Sequence, residues 1–365
     1  MSRICHITTI HPTFDTRIFK KECKSLLAAG HQVTLLAGNA DSQVVDGVNV
    51  IGLKYNHGRI NRFLLGPKVF YNWCLDNNFD VYHFHDPEFL PFAKKLAIQG
   101  KKIIYDAHED VPRQILAKYY IPKFIRPIVS RRFERMENSC IPHFSGVSSA
   151  TEHIAQRFSS MNSNSIAVHN YPSLKELGDF VLPSMKPKNT LCYIGSITNI
   201  RGAWNMVDLM GRLSANLNLG GSFSPPSLQS QLVRKPGWKQ VNSLGFLSRE
   251  EVVSTLDHSQ LGLVLLHATV NYKDALPVKM FEYMAKGLPV VITDVPLWKS
   301  IVDECTCGLA VDLAQPEDIA KAVQVLLADE NKMDNMAKRG RAAVEEKYNW
   351  EQEERKLFEL YEKVI

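Results

Sequence analysis

Apolar and polar positions along the first half of the chain alternate between two patterns. Short apolar runs predict buried strands near residues 4–9, 33–37, 48–53, 81–84, 102–105, 144–147 and 165–168. Stretches whose apolar residues recur every three or four positions predict helices between them, such as 62–75 and 89–98. Strand and helix signals that alternate in this way favour parallel α/β sheets.

The same alternation restarts at residue 191 after a stretch that has proline, lysine and serine but no clear period. Ser248 and Glu251 form a capping-box pattern that predicts a helix start, and 262–266 predicts a further strand. Because 365 residues exceed what one core usually covers, two domains are expected. The predicted division is an N-terminal domain at 1–172, a linker at 173–189, a C-terminal domain at 190–345 and a last helix at 346–365.

Composition places the chain among ordinary globular proteins, with 45% apolar and 22% charged residues. No run approaches the ~20 apolar residues of a membrane span, and the first residues lack a signal-peptide layout. The seven cysteines are scattered and odd in number, which argues against a disulfide framework and favours a reducing cytoplasm.

Positive charge is concentrated in residues 112–140. This segment contains seven basic and two acidic residues, so its net charge of +5 equals that of the whole chain. Aliphatic and aromatic residues are interleaved with them, a pattern typical of segments on an anionic membrane surface. A solvated face of a core helix explains the pattern equally well. Nucleic acid is a weaker option because no nucleic-acid-binding motif accompanies the charge.

The segment 274–291 contains the strongest chemical pattern. Asp274 and Glu282 stand eight residues apart around a predicted helix start, with Pro277 in the first turn. The free amides of that turn, including that of Val278, suit a diphosphate together with the charge of Lys279. Glu282 then lies one turn further on, where it can accept hydrogen bonds from sugar hydroxyls.

A second phosphate-binding pattern opens the same predicted domain. Residues 195–202 read G-S-I-T-N-I-R-G after an apolar strand, so that Gly195 and Ser196 begin a loop that leads into a helix. Backbone amides approach phosphates in such loops, and the planar guanidinium of Arg201 suits phosphate oxygens.

Histidines and carboxylates follow three predicted strands of the first half. Ligands of open α/β sheets bind at the carboxyl ends of strands, so these loops are candidate ligand-binding positions. The candidates are His11, Asp15, Arg17, His85, Asp86, Glu109 and Asp110, with His108 as a candidate catalytic residue. Asp15 suits the N-cap of the following helix equally well, with Arg17 as its surface neighbour.

These motifs together resemble those of family 4 retaining glycosyltransferases that build bacterial surface polysaccharides. The resemblance implies a GT-B fold, in which two Rossmann-like domains face each other across a cleft. It also implies that Asp274 and Glu282 hold the nucleotide-sugar and that His108 contacts the donor sugar near the reacting carbon. Two departures from the family pattern are Asp274, where glutamate is usual, and His11-Pro12, where many relatives have Gly-Gly.

The expected activity is transfer of a sugar from a UDP- or GDP-sugar to a hydroxyl of a lipid-linked or saccharide acceptor. His108, Asp274 and Glu282 are the predicted catalytic residues, and Gly195, Ser196, Arg201, Val278, Lys279 and Glu282 the predicted donor-binding ones. By the same resemblance, the predicted acceptor-side residues are His11, Asp15, Arg17, His85, Asp86, Glu109 and Asp110. No Asp-x-Asp pair occurs, and Arg201 and Lys279 can neutralise the leaving group, so no metal is expected. The nucleotide-sugar is a substrate, and no cofactor is expected. The alternatives are a nucleotide-sugar-binding protein without transfer activity, and a GT-B epimerase or phosphorylase. The expected location is the inner face of the cytoplasmic membrane.

Overall fold

The computed structural model describes residues 1–55, 59–118, 120–269 and 273–365, with only the backbone of 59–64. The chain divides into two compact units. The first comprises Met1–Asn170 together with Trp350–Ile365, and the second comprises Tyr171–Asn349. The amphipathic helix predicted at the C-terminus is therefore part of the first unit, and residues 173–189 are part of the second.

The first unit contains an eight-stranded sheet. Its strands are β1 (Arg3–Thr8), β2 (Gln32–Gly38), β3 (Gln43–Val45), β4 (Val48–Leu53), β5 (Val81–Phe84), β6 (Ile103–Ala107), β7 (Gly146–Ser149) and β8 (Ser165–Ala167). They lie in the order β3-β4-β2-β1-β5-β6-β7-β8, and only β3 pairs antiparallel, with β4.

Helices cover both faces of this sheet. They are α1 (Lys24–Ala28), preceded by a π-helix at Thr16–Cys23, α2 (Arg59–Asp76), α3 (Leu90–Ile98), α4 (Val111–Ala117), α5 (Arg126–Cys140), α6 (Glu152–Ser159) and the C-terminal helix Trp350–Val364. Alternate residues of the central strands β1, β2, β5 and β6 enter two separate apolar clusters, as period-two geometry requires; Ile4 joins one and Cys5 the other.

The second unit contains a six-stranded parallel sheet. Its strands are β9 (Thr190–Ile194), β10 (Asn216–Gly220), β11 (Val241–Gly245), β12 (Leu261–Val264), β13 (Val290–Thr293) and β14 (Gly308–Val311). Its helices are α7 (Leu174–Leu177), α8 (Ala203–Met210), α9 (Ser227–Leu232), α10 (Arg249–Asp257), α11 (Val278–Ala285), α12 (Pro296–Cys305), α13 (Pro316–Leu327) and α14 (Glu330–Glu346). We number the C-terminal helix of the first unit α15.

Both sheets have the topology of a Rossmann fold. The order β11-β10-β9-β12-β13-β14 reverses between β9 and β12, and the first sheet reverses between β1 and β5. In open α/β sheets the crevice for ligands lies outside the carboxyl ends of the strands at this reversal. The loops that carry the predicted site residues follow these strands and the neighbouring β6. The prediction of an α/β fold with two Rossmann-like domains is confirmed.

The predicted helix start at Ser248 is confirmed, since its hydroxyl accepts the amide of Glu251 and the Glu251 carboxylate accepts that of Ser248. The basic segment 112–140 forms two helices, α4 and α5. Within the described residues, no helix has the length and apolarity needed to cross a bilayer.

Candidate functional site

The loop after β9 in the second unit is shaped by tyrosines and glycines. The Tyr193 hydroxyl donates to the carbonyl oxygen of Ser196 at 2.9 Å, and this hydrogen bond fixes the loop to the end of β9. Gly195 has a φ of 129° and Gly202 a φ of 73°, both in the region that favours glycine. A Cβ on Gly202 would also collide with the carbonyl oxygen of Leu265, just after β12. Glycine therefore lets the two loops at the strand reversal approach each other.

Lys279, in the first turn of α11, places its ammonium against this loop. Its Nζ lies 3.6 Å from the centroid of the Tyr193 ring and would lie 2.9 Å from a Cβ built on Gly195. The Nζ atom is buried and has no hydrogen-bond partner among the described residues. A buried ammonium without a hydrogen bond is costly, and an anion bound at the Gly195 loop would supply one.

Electrostatics support the same interpretation. Burial lowers the pKa of Lys279 well below its ordinary value, and the nearby Arg201 guanidinium lowers it further. Lys279 and Arg201 thus lie side by side at a loop of backbone amides and at the positive end of α11, and a bound anion would favour the charged form of Lys279. This arrangement suits a diphosphate, and it brings together four predicted donor-binding residues: Gly195, Ser196, Arg201 and Lys279. Val278 begins α11 beside them.

Glu282 lies one turn along α11 and takes part in a chain of ion pairs that the sequence analysis missed. Its carboxylate lies 2.8 Å from the Arg249 guanidinium, which also lies 2.9 Å from the carboxylate of Glu176. Arg249 directly follows Ser248, the cap of α10. The sequence shows the cap clearly, but it does not show that the guanidinium reaches α11. Glu282 keeps part of its carboxylate surface accessible.

Asp274 occupies the loop before α11 and is exposed to solvent. The loop is anchored just after it, where the indole nitrogen of Trp298 donates to the carbonyl oxygen of Ala275 at 2.7 Å. Residues 270–272, immediately before it, lie outside the described part of the chain. The role of Asp274 toward a donor sugar stays a prediction.

The first unit contains a pocket of about 560 Å³. One end is polar and includes His11, His85, Asp86, Glu88, His108 and Glu109. The rest of its wall is largely apolar and is built by α4, α5 and the residues between them, including Ile115, Ile121, Val129 and Phe133. Five predicted residues of the first unit thus line a single pocket.

His11 and Asp86 form one pair at the polar end. Oδ1 of Asp86 lies 2.9 Å from Nδ1 of His11, while Oδ2 accepts the Thr9 amide at 2.6 Å and the Thr8 hydroxyl at 2.9 Å. Burial alone would raise the pKa of Asp86, but His11 and these donors hold it below its ordinary value. Burial opposes the charged form of His11, but the Asp86 carboxylate outweighs it and raises the pKa of the ring.

His108 forms a second pair, with Asp106 at the end of β6. Its Nε2 lies 2.8 Å from Oδ2 of Asp106, which also lies 3.1 Å from Nδ1 of the buried His85. The His11 and His108 rings are 4.9 Å apart. Asp106 was not among the predicted site residues, although it stands two positions before His108.

Three predicted acceptor-side residues have structural roles within the first unit. Asp15 caps the helix that follows, accepting the amides of Arg17 and Ile18. Arg17 is only 3% exposed and donates through two nitrogens to Asp106. Asp110 caps α4 and pairs with Arg157 at 3.0 Å. The prediction of an acceptor contact is corrected for Arg17, because its guanidinium is buried and engaged within the unit. The acceptor-side roles of Asp15 and Asp110 stay predictions beside their capping roles.

Further buried polar groups surround Arg17 and Asp106, and the sequence analysis did not assign them. His6 and His83 are paired across β1 and β5. Nδ1 of His6 lies 3.0 Å from Nε2 of His85. The Tyr361 hydroxyl of α15 lies 2.9 Å from Nδ1 of His83. The available signal was the spacing of two between His83 and His85, which puts both on one face of a strand.

Glu22, His83, His85 and Asp106 lie close enough together to hold a metal ion. However, the Arg17 guanidinium already contacts both carboxylates, at 2.7 Å from Asp106 and 3.0 Å from Glu22. A divalent cation there would face a fixed positive charge. Burial, and then the charge of Asp106, raise the pKa of Glu22 well above its ordinary value. The absence of a metal requirement stays a prediction.

Comparison with known proteins covers both units. The family model described as glycosyl transferases group 1 matches residues 178–343, and the model described as glycosyltransferase family 4 matches residues 16–169. The phosphatidyl-myo-inositol mannosyltransferase of Mycolicibacterium smegmatis is 20% identical over 92% of this chain and 86% of its own length.

Solved structures show the same fold at low identity. Sucrose-phosphate synthase from Thermosynechococcus elongatus has a TM-score of 0.78 and 18% identity, over 99% of this chain and 98% of its own. Anabaena HepE in complex with UDP and glucose has a TM-score of 0.76 and 11% identity, over 99% of this chain and 100% of its own. The fold is thus GT-B, and with both family models matched, the chain belongs to the family 4 glycosyltransferases.

Proposed function

We propose that this protein transfers a sugar, with retained anomeric configuration, from a UDP- or GDP-sugar to a hydroxyl of a lipid-linked acceptor in surface-polysaccharide biosynthesis. The observation that supports donor binding is the buried Nζ of Lys279 against the Gly195 loop, which has no hydrogen-bond partner in the part of the chain that the structure describes. Anabaena HepE, which shares the fold, was solved in complex with UDP and glucose, which supports a nucleoside diphosphate as the kind of ligand proposed here.

The second unit supplies the groups that departure of the nucleotide requires. As the bond between the anomeric carbon and the diphosphate breaks, negative charge grows on the phosphate oxygens. Lys279, Arg201 and the loop amides stabilise that charge, which is the largest catalytic term in such reactions. Glu282 holds the ribose hydroxyls, Asp274 holds the sugar hydroxyls, and the 84% exposed ring of Phe246 offers a stacking surface for the base.

The pocket in the first unit supports an amphiphilic acceptor. Its His11 and His108 end suits hydroxyl groups, and its Ile115, Ile121 and Phe133 wall suits an apolar group attached to them. The mycobacterial relative is named for phosphatidyl-myo-inositol, itself an amphiphile. We therefore place the acceptor in this pocket, with the reacting hydroxyl at the polar end.

We propose that α5 and the residues before it lie on an anionic membrane. Phe124 and Ile128 are largely exposed there, and Arg131, Arg132 and Arg135 line an open groove with Ile128. Within the described residues these three arginines have no ion-pair partner, whereas Glu134 of the same helix pairs with Arg113. Exposed apolar side chains beside uncompensated arginines suit the inner face of the cytoplasmic membrane.

Replacing Arg131, Arg132 and Arg135 by glutamate is expected to abolish co-sedimentation with phosphatidylserine-containing liposomes, because each basic residue near such a surface contributes about 1 kcal/mol. The matched control replaces Lys321, Lys338 and Arg339 of α13 and α14 by glutamate, with the same change in net charge. Equal loss of binding in both variants would show that net charge, and not this helix, attracts the protein to the membrane.

Replacing Glu282 by alanine is expected to weaken binding of the donor by about tenfold or more, because a charge-assisted hydrogen bond contributes about 1.5–3 kcal/mol. Isothermal titration with UDP- and GDP-sugars measures it. Glu176→Ala is the matched control, since it also removes a partner of Arg249 without touching α11. Unchanged affinity in Glu282→Ala would refute the donor assignment. Binding without nucleotide release on any acceptor would identify a nucleotide-sugar-binding protein instead.

A further inference from the structure

The loop that begins at Gly195 is fixed on the side of β10 by close backbone contacts. The Gly195 amide donates to the carbonyl oxygen of Gly220 at 2.9 Å. A Cβ on Gly221 would come within 2.0 Å of the Gly195 carbonyl oxygen, so the two backbones pack directly on each other. Because successive amides of a strand point to opposite sides, the preceding amide, that of Ile194, points away from β10 and toward β12. A second contact is therefore needed on that side.

On the side of β12, a tyrosine hydroxyl replaces the strand partner. Among the described residues, β9 pairs with β10 as far as Ile194, whereas its pairing with β12 ends at Cys192. The hydroxyl of Tyr283, in α11, accepts the Ile194 amide at 2.9 Å. A buried amide without an acceptor is costly, so this hydrogen bond compensates for the divergence of the two strands at the reversal of the sheet.

The surroundings of Tyr283 fix its position. Its side chain is fully buried, and its ring lies over Gly262 of β12, where a Cβ would come within 2.2 Å of Cδ2. Burial raises the pKa of the Tyr283 hydroxyl well above its ordinary value, so the group stays neutral near physiological pH. Tyr283 stands four positions after Lys279, and residues at this spacing share one face of a helix. The same face of α11 thus carries both the ammonium and the hydroxyl that holds the loop.

We propose that Tyr283 is a positioning residue for the diphosphate: by holding the Ile194 amide, its hydroxyl fixes the backbone of the Gly195 loop relative to the ammonium of Lys279. This inference rests on the proposed function, because it takes the Gly195 loop as the diphosphate site. Tyr283 acts through the backbone and does not itself contact the nucleotide. Its effect on affinity should therefore grow with the number of phosphates that reach the loop, and it should be absent for a nucleoside alone.

The test measures the Kd of uridine, UMP and UDP, or of the guanosine series if the protein prefers guanine, by NMR titration of Tyr283→Phe. Phenylalanine keeps the ring over Gly262 and removes only the hydroxyl. Affinity for the diphosphate is expected to fall about tenfold, since loss of a buried hydrogen bond shifts an equilibrium by roughly this factor; affinity for the monophosphate should fall less, and that for the nucleoside should not change. Tyr82→Phe is the matched control, because its buried hydroxyl also accepts a backbone amide, that of Phe79 in the first unit.

Further measurements separate positioning from a merely structural contribution. Amide hydrogen exchange by NMR should be slow at Ile194 in the wild-type protein, and faster by about tenfold or more in Tyr283→Phe but not in Tyr82→Phe. In a Lys279→Met background, Tyr283→Phe should weaken UDP binding by less than about threefold, because the two residues act on the same phosphates and their effects are not additive. Gly262→Ala displaces the ring instead of removing the hydroxyl, and the same dependence on phosphate number is expected.

The outcomes are distinct. Unchanged UDP affinity in Tyr283→Phe would overturn the positioning role, and so would an equal loss for uridine and UDP, since the hydroxyl would then support the unit as a whole. Fast exchange of the Ile194 amide in the wild-type protein would overturn it without any variant. In each of these cases UDP binding by the wild-type protein leaves the proposed function standing. If the wild-type protein binds neither UDP nor GDP, the proposed function itself fails, and the positioning role fails with it.

Discussion

Replacing Lys279 by methionine is expected to lower the rate of donor cleavage by about 2–4 kcal/mol in activation free energy, roughly 30- to 1000-fold. Methionine keeps much of the length and apolar volume of the lysine stem, so packing on Tyr193 survives while the charge disappears. The loss should appear in kcat, measured as nucleotide release, because the ammonium acts on charge that grows as the bond breaks.

The pH dependence of donor binding provides a second signature of Lys279. The charged amine binds the diphosphate, and burial lowers the pKa of this amine in the free protein. Donor affinity should therefore fall as pH rises through that pKa, which lies below the ordinary lysine value of about 10.4. In Lys279→Met, donor affinity should not show this fall with pH. Lys299→Met, at a half-exposed lysine of α12 in the same unit, is the control. Turnover in Lys279→Met within about threefold of the control would contradict the assignment.

Replacing Arg17 by methionine is expected to destabilise the first unit by about 3–5 kcal/mol, because it leaves the Asp106 carboxylate buried without its cation. Hydrogen exchange by mass spectrometry on peptides from β1, β5 and β6 measures this loss in the first unit alone. In the wild-type protein, burial opposes the charged form of Asp106, but Arg17 and His108 hold its pKa well below the ordinary value.

The depressed pKa of Asp106 determines how the stability of the first unit changes with pH. The pair stabilises the folded protein above the unfolded-state pKa of about 3.9, and its contribution disappears as pH falls through the lower folded-state value. The matched control is Lys24→Met, which breaks an ion pair with Asp46 whose side chains are 45% and 57% exposed. Its cost should stay within about 1 kcal/mol. Similar costs for both substitutions would mean that the buried pair contributes no more than a surface one.

The strands and the capped helices could be predicted because their signals are local. Val81–Phe84 is an apolar run, and Ser248 with Glu251 has the spacing of a capping box. The break between α4 and α5 was missed because basic and apolar residues continue through it without a change in composition. The short strands β10 and β11 were missed because Gly, Ser and Asn weaken the apolar signal there.

The part of the site that could be predicted consists of residues in loops that directly follow strands. The loop at Gly195, the start of α11 and the histidines after β1, β5 and β6 all follow from sequence order and the rule for open sheets. The sequence could not show which partner takes each charge. Arg17 contacts Asp106, 89 positions away, and Arg249 contacts Glu282, 33 positions away. Such pairings are set by tertiary packing, so Arg17 was taken for a substrate contact.

The most direct test of the central claim is a crystal structure of the protein with a bound nucleotide-sugar that it does not turn over. The account predicts the diphosphate within hydrogen-bond distance of Lys279 Nζ and of the amides after Gly195, with Glu282 on the ribose. A nucleotide bound elsewhere, with Lys279 still unpartnered against Tyr193, would contradict it.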